Sequence, residues 1–166
     1  WQSWVWNASV NLYLLDKIGE WAFDEVQLRA SSVLLPKIPF QIRGRERKRW
    51  IERLDRELDQ LCEHWPLVAS DTEDGPWTPY ITQVLQSQRM NKTHLEIHPA
   101  FGVWLKDHPR PLRLHPQDLI VGEVFNDEMA KPRRQPRWGG RADFSLDSGA
   151  YATIVTRSLV RTPERK

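Results

Sequence analysis

From Arg45 to Trp65 the chain reads RERKRWIERLDRELDQLCEHW, with apolar residues at Trp50/Ile51, Leu54, Leu58, Leu61/Cys62 and Trp65. Steps of three and four put these on one face of a helix over roughly 45–64 and leave the charges elsewhere. Each large side chain buried on such a face is worth about 1.5–3 kcal/mol, enough to outweigh repulsion in the basic first turn. Pro66 limits the helix. Cys62, in the apolar register, reads as a core residue. It is the single Cys, so no internal disulfide can form, and a reducing cytoplasm fits.

The flanks extend this pattern. Trp4/Val5, Ala8, Leu12, Leu15 and Ile18 share the face of an earlier helix that Gly19 could end. Residues 20–42 lack a period, and Pro36 and Pro39 in VLLPKIPFQI predict an extended connector. Asp71 to Gly75 is an acidic loop. Thr78-Pro79 then reads as N-cap and first position of a helix through Tyr80, Ile81, Val84 and Leu85. A further short helix is expected between His94 and Asp107.

Beyond Pro109 and Pro111 the texture becomes strand-like. RPLRL, a Pro116-Gln117-Asp118 turn, LIVGEVF, a Pro/Arg/Gly-rich loop over 126–140 and ADFSL follow in order. A helical run over about 149–160 carries Tyr151, Ile154/Val155 and Ser158/Leu159. The fold class is therefore α+β: a mostly helical lobe over 1–108, then strands and a helix over 109–166. So few strands are expected to complete a larger sheet rather than stand alone. With Trp1 already inside a helical pattern, the expectation is an incomplete fragment.

Of the 166 residues 40% are hydrophobic and 28% charged, an ordinary globular balance rather than a disordered one. No signal peptide and no apolar run of about 20 residues is visible, so neither secretion nor a membrane partner is expected. The net charge is only +2, yet cations cluster. Lys131, Arg133, Arg134, Arg137 and Arg141 crowd a Pro- and Gly-rich stretch without an acid among them, for which phosphate contact is preferred over a solvated loop. Arg43, Arg45, Arg47, Lys48 and Arg49 surround Glu46, and a charged helix start explains them without a ligand, although cations there oppose the helix dipole.

Ordinary catalytic motifs are absent: no Gly-x-Ser-x-Gly, no phosphate-cradling glycine loop, no Cys pair. His94 and His98 have the spacing of a metal pair, but Pro99 follows and no third ligand matches, so surface histidines are expected and no metal. Asp147 and Ser148 sit where a strand turns into a helix and read as an N-cap in preference to catalysis. Gly149 would let a ligand approach the backbone. Tyr151 is open to two readings, a core residue or a stacking platform that offers a nucleobase about 1–3 kcal/mol.

The stretch FSLDSGAYATIVTRSLV resembles the C-terminal signature of the TruD family of tRNA pseudouridine synthases, a strand followed by Leu-Pro-x-Gly-Ser-[Phe/Tyr]-Ala-Thr and an Arg-bearing helix. WQSWVWNASVNLYL is similar to the family's Ser/Asn helix and RPLRLHPQDL to its strand-turn segment, in the right order. The resemblance implies a mixed α/β catalytic sheet interrupted by an inserted domain. Residues 1–108 would be the partial insertion and 109–166 the C-terminal piece of the catalytic domain. It implies an enzyme that isomerises a uridine in tRNA to pseudouridine, in the cytoplasm, with an Asp nucleophile and no metal or organic cofactor.

That nucleophile belongs to a Gly-x-Lys-Asp motif missing from this sequence, so no catalytic residue is assigned; Lys106-Asp107, the nearest dipeptide, lies in the insertion. By position, Tyr151 would contact the target base, Gly149 would form the tight corner and Arg157 would be the helix arginine. Arg133, Arg134, Arg137 and Arg157 would bind RNA. Asp147, Ala150 and Ser158 replace the family's Pro, Ser and Glu. The alternative is a non-catalytic RNA-binding protein derived from the same fold. An interaction module built on the 45–64 helix would explain neither the corner nor the basic loop.

Overall fold

A computed structural model of the chain describes residues 1–37, 41–97, 100, 102, 104–126, 138–147 and 152–159. The chain falls into two units, residues 1–112 and 113–166. Helix α1 runs from Gln2 to Lys17, as expected, but its most buried face is Val5, Trp6, Val10, Tyr13 and Leu14; of the stripe read from the spacing only Val5 is fully enclosed, and Trp4, Ala8, Leu12, Leu15 and Ile18 are half-buried beside it, because the helix packs against more than one element. The stretch expected to be a connector is instead a hairpin, β1 (Phe23–Gln27) against β2 (Ser32–Pro36), antiparallel from Phe23↔Pro36 to Gln27↔Ser32. Val33 and Leu35 alternate into the core. The reason lies on α1: Asn11 Nδ2 donates to the Ser32 carbonyl at 3.1 Å, and its Oδ1 accepts from the Leu34 N–H at 3.1 Å. Asn7 Nδ2 reaches Ser31 Oγ at 2.7 Å. Helix amides thus serve the strand edge as another strand would, so two five-residue strands persist where neither has a strong pattern of its own.

Helix α2 spans Gly44–Asp59 and is shorter than its stripe implies. Leu54 is buried, Trp50 and Leu58 pack against the core, and Ile51 stays exposed. Leu61 and Cys62 follow the helix end and also pack on the core, while Trp65 belongs to strand β3 (His64–Leu67). β3 pairs antiparallel with β4 (His108–Pro111), Trp65 facing Arg110. Trp65 is fully buried. Its ring lies 4.7 Å from that of Tyr13 and 5.9 Å from that of Tyr80, its Nε1 donates to Ser9 Oγ at 3.0 Å, and its carbonyl accepts from Trp6 Nε1 at 3.0 Å. Ending the helix early costs a few residues of helix propensity, each worth up to about 0.7 kcal/mol. Enclosing a whole indole with both polar groups satisfied outweighs that.

Helix α3 (Thr78–Ser87) closes a second core in which Ile81, Val84 and Leu85 meet Val5, Val68 and Leu95. Its cap is Trp77, one residue before the expected Thr78; the Thr78 hydroxyl instead accepts the Gly75 N–H at 2.9 Å. A 3-10 turn over Lys92–Leu95, held by a capping box between Asn91 and His94, overlaps the start of the stretch expected to hold a short helix; residues 98, 99, 101 and 103 of that stretch lie outside the described residues. The strand-rich texture starts before the second unit does, because β4 belongs to the first.

In the second unit β5 (Gln117–Asn126) pairs antiparallel with β6 (Trp138–Ser145), and helix α4 spans Ala152–Leu159. The fold is α+β, with four α-helices and three separate two-stranded antiparallel sheets among the described residues. Among those residues no helix is long and apolar enough to cross a membrane.

Replacing Trp65 by Ala removes the indole and leaves Ser9 Oγ without its donor. The expected loss is about 3–5 kcal/mol of unfolding free energy, read from urea titration. A loss below about 1 kcal/mol would contradict the central role given to this residue.

Candidate nucleic-acid interface

The strand-corner-helix order read from the last third of the sequence is present as β6, then Leu146 and Asp147, then α4. The corner itself, with Ser148, Gly149, Ala150 and Tyr151, lies outside the described residues, as do Lys131, Arg133, Arg134 and Arg137. Asp147 is exposed, and the described helix begins only at Ala152. On α4, Val155 is buried and Arg157 exposed near the C-terminal end, where a cation complements the helix dipole. The Ser158 hydroxyl donates to the Ile154 carbonyl at 3.0 Å. That bond occupies the hydroxyl within the helix.

Arg141 departs from the expected run of unopposed cations. Its Nε donates to Asp143 Oδ2 at 2.8 Å and its Nη2 to Oδ1 at 3.0 Å, a two-pronged pair along one face of β6. The hydrogen bonds to Asp143 and its charge raise the arginine's pKa further. The acid that neutralises it is two residues along the strand, outside the window that reads as acid-free.

The hairpin carries a surface that the sequence does not reveal. Ile120, Val121, Val124, Phe125 and Trp138 are all more than half exposed. Two irregularities in the ladder, between Gln117 and Ile120 and between Val121 and Val124, break the alternation that would gather them on one face. Asp118 takes the left-handed φ of 52° inside the first. The Phe125 ring lies close to Gly139, where a Cβ would come within 2.6 Å of it. A side chain at 139 would have to displace that ring, which is more than half exposed.

Two residues weighed for chemistry are placed by the first unit. The His94 Nδ1 accepts the Asn91 N–H at 3.0 Å, a structural bond that accounts for this histidine; His98 lies outside the described residues. Among the described residues no group of three or more His, Cys, Asp or Glu is arranged to hold a metal ion. Asp107 precedes β4. Partial burial holds its carboxyl above the ordinary carboxylate range, helped by the charges of Asp71 and Glu73 and opposed by the Thr72 hydroxyl and His108. Nearby, Asp74 is held below that range by the Lys92 ammonium at 2.9 Å.

The raised Asp107 carboxyl binds its proton more tightly in the folded chain than in the unfolded one. Its ionisation therefore subtracts stability as pH rises from the unfolded carboxylate value, near about 3.9, through the higher folded value. Asp107→Asn should raise Tm slightly at pH 7, the effect being screened at an exposed residue, and leave it unchanged at pH 3. A lower Tm at pH 7 would show that the carboxylate is instead held favourably. For the hairpin, Ile120→Lys with Val124→Lys should reduce concentration-dependent light scattering without lowering Tm; unchanged scattering would mean that this surface does not drive association.

No protein-family model, no curated protein and no solved structure matches this chain.

Proposed function

We propose that the chain forms part of a TruD-type tRNA pseudouridine synthase, in which the second unit, residues 113–166, contributes to the catalytic sheet and one wall of the uridine pocket, while residues 109–111, first assigned to that sheet, pair with β3 in the first unit. The observation that carries this reading is the FSLDSGAYATIV stretch, whose flanks run as strand β6 and helix α4 on either side of the corner that bears Gly149 and Tyr151. The exposed apolar hairpin supports it too, since a two-stranded ribbon with uncovered faces is suited to acquiring neighbours in a larger sheet.

In this reading the reaction takes a uridine out of its stack, at a cost of a few kcal/mol. The Tyr151 ring offsets part of that cost by stacking, worth about 1–3 kcal/mol. Arg133, Arg134, Arg137 and Arg157 hold the phosphates on either side and orient the strand. The nucleophilic Asp is not among these 166 residues, and neither metal nor organic cofactor is required.

The test is pseudouridine formation on a tRNA transcript by protein expressed from the whole reading frame, read by mass spectrometry. Tyr151→Ala should lower turnover by about ten- to a hundred-fold, the equivalent of about 1.4–2.7 kcal/mol, with Tm nearly unchanged. An unchanged rate, or no pseudouridine from the unaltered protein, would overturn the assignment. Arg133→Gln, Arg134→Gln and Arg137→Gln together should weaken tRNA binding and flatten its salt dependence by about 0.7–0.9 log units per lost phosphate contact. An unaffected slope would reduce this loop to plain surface.

A further inference from the structure

We propose that Asp74-Gly75 is a latent modification site, an aspartyl bond open to isomerisation through a succinimide, and that Lys92 and Thr78 guard it in the folded chain. The site lies in the first unit and does not depend on the tRNA reading, which uses the second.

The glycine is held in place by packing. A Cβ at Gly75 would come within 2.5 Å of the Trp77 ring, so a side chain there would have to displace that ring. The indole has little room to give. It packs against both cores of the first unit, stands 6.3 Å from the Trp65 ring and donates from Nε1 to the Glu73 carbonyl at 2.9 Å. An aspartate that precedes glycine is open to attack by its own main chain, because no Cβ shields the next nitrogen and the backbone there turns freely. Solvent access is present too, since the Asp74 side chain is 80% exposed.

The reaction needs only the chain and water. The Gly75 nitrogen bonds to Asp74 Cγ, and the nitrogen's proton leaves with the carboxyl hydroxyl as water, which closes a cyclic imide. Water then adds to either imide carbonyl. Opening at the main-chain carbonyl leaves isoaspartate, of unchanged mass, with the chain rerouted through Cγ.

Lys92 and Thr78 oppose the first step. Lys92 Nζ donates to Asp74 Oδ1 at 2.9 Å and to the Thr72 carbonyl at 2.7 Å, which pins the loop on both sides of Glu73. Its hydrogen bond and its charge keep the Asp74 carboxyl ionised, and a carboxylate resists attack where the neutral acid would not. Lys92 is itself carried by the 3-10 turn that the Asn91–His94 capping box fixes. The Gly75 N–H, which must turn toward Cγ and lose its proton, donates instead to Thr78 Oγ1 at 2.9 Å. The same hydroxyl lies 3.3 Å from Asp74 Oδ1, so Thr78 ties both reacting groups to the first turn of α3. Reaction then requires the loop to open.

The experiment follows isoaspartate in the 166-residue chain kept at body temperature and neutral pH, beside a synthetic peptide of residues 70–78 as the open reference. Isoaspartate is read by methyl transfer from S-adenosylmethionine with an isoaspartyl methyltransferase and located by fragmentation of the tryptic peptide 57–89. The folded chain should form it at position 74 at least about ten-fold more slowly than the peptide does, because the loop must open first. Lys92→Gln should speed the reaction about two- to five-fold, the range of an exposed ion pair, while Lys92→Arg should match the unaltered chain. Thr78→Val, which removes the contacts to both reacting groups, should speed it about five-fold. Circular dichroism checks that each variant is folded, and the Lys92 pair decides the matter if Thr78→Val is not. Equal rates in chain and peptide, or a Lys92→Gln chain no faster than the Lys92→Arg one, would overturn the guard. Isoaspartate confined to Asp71, in chain and peptide alike, would overturn the site.

Discussion

The fold of the first unit depends on the enclosure of one indole. Trp65 cannot be buried unless its N–H finds an acceptor, and Ser9, itself fully buried on α1, supplies it at 3.0 Å. The same backbone strand returns the contact, because the Trp65 carbonyl accepts from Trp6 on α1. Ser9 also donates to the Trp6 carbonyl, so the three residues form a closed set of bonds between a helix and a strand. Around them Tyr13, Tyr80 and Trp77 pack ring against ring. The set ends at the surface, where Tyr80 Oη donates to Asp16 at 2.7 Å and that bond, with Lys17, holds the Asp16 carboxyl below its ordinary range.

This enclosure also decides which way α2 faces. The Cys62 N–H donates to Tyr13 Oη at 3.2 Å, which ties the chain just past the helix to the aromatic cluster. With Leu54, Leu58 and Trp50 turned to the core, Arg45, Arg49 and Arg56 have no side left but the solvent. The solvent side of α2 mixes these cations with Glu46, Glu52, Asp55, Glu57 and Asp59, as a solvated helix face does.

Much of this was legible in the sequence where local periodicity decides the outcome. The presence of α1, the Trp50–Leu58 part of α2, α3, the β5–β6 hairpin and α4 follows from apolar spacing or strand texture, although α1 buries Trp6, Val10, Tyr13 and Leu14 rather than the stripe that its spacing marks. What was not legible depends on partners far along the chain. The β1–β2 hairpin relies on Asn7 and Asn11 of the preceding helix, and nothing in a five-residue strand announces that its edge will be served by a side-chain amide. Trp65 continues the helical stripe in sequence but leaves it in space, because a pairing with residues 108–111 offers full burial. The exposed hairpin was hidden because two ladder irregularities redistribute an ordinary apolar run over both faces. Of the candidate site, Arg157 and the strand and helix around the corner are placed, while Gly149, Tyr151 and the three loop arginines lie outside the described residues.

The proposed function rests on the residues between strand β6 and helix α4, with Arg157 exposed on that helix. Ultraviolet crosslinking of the chain to a uridine-containing tRNA transcript, followed by peptide mass spectrometry, tests it most directly. The account predicts a uridine adduct on the peptide that contains Tyr151. Adducts confined to other peptides, or none above a background set by excess salt, would contradict it.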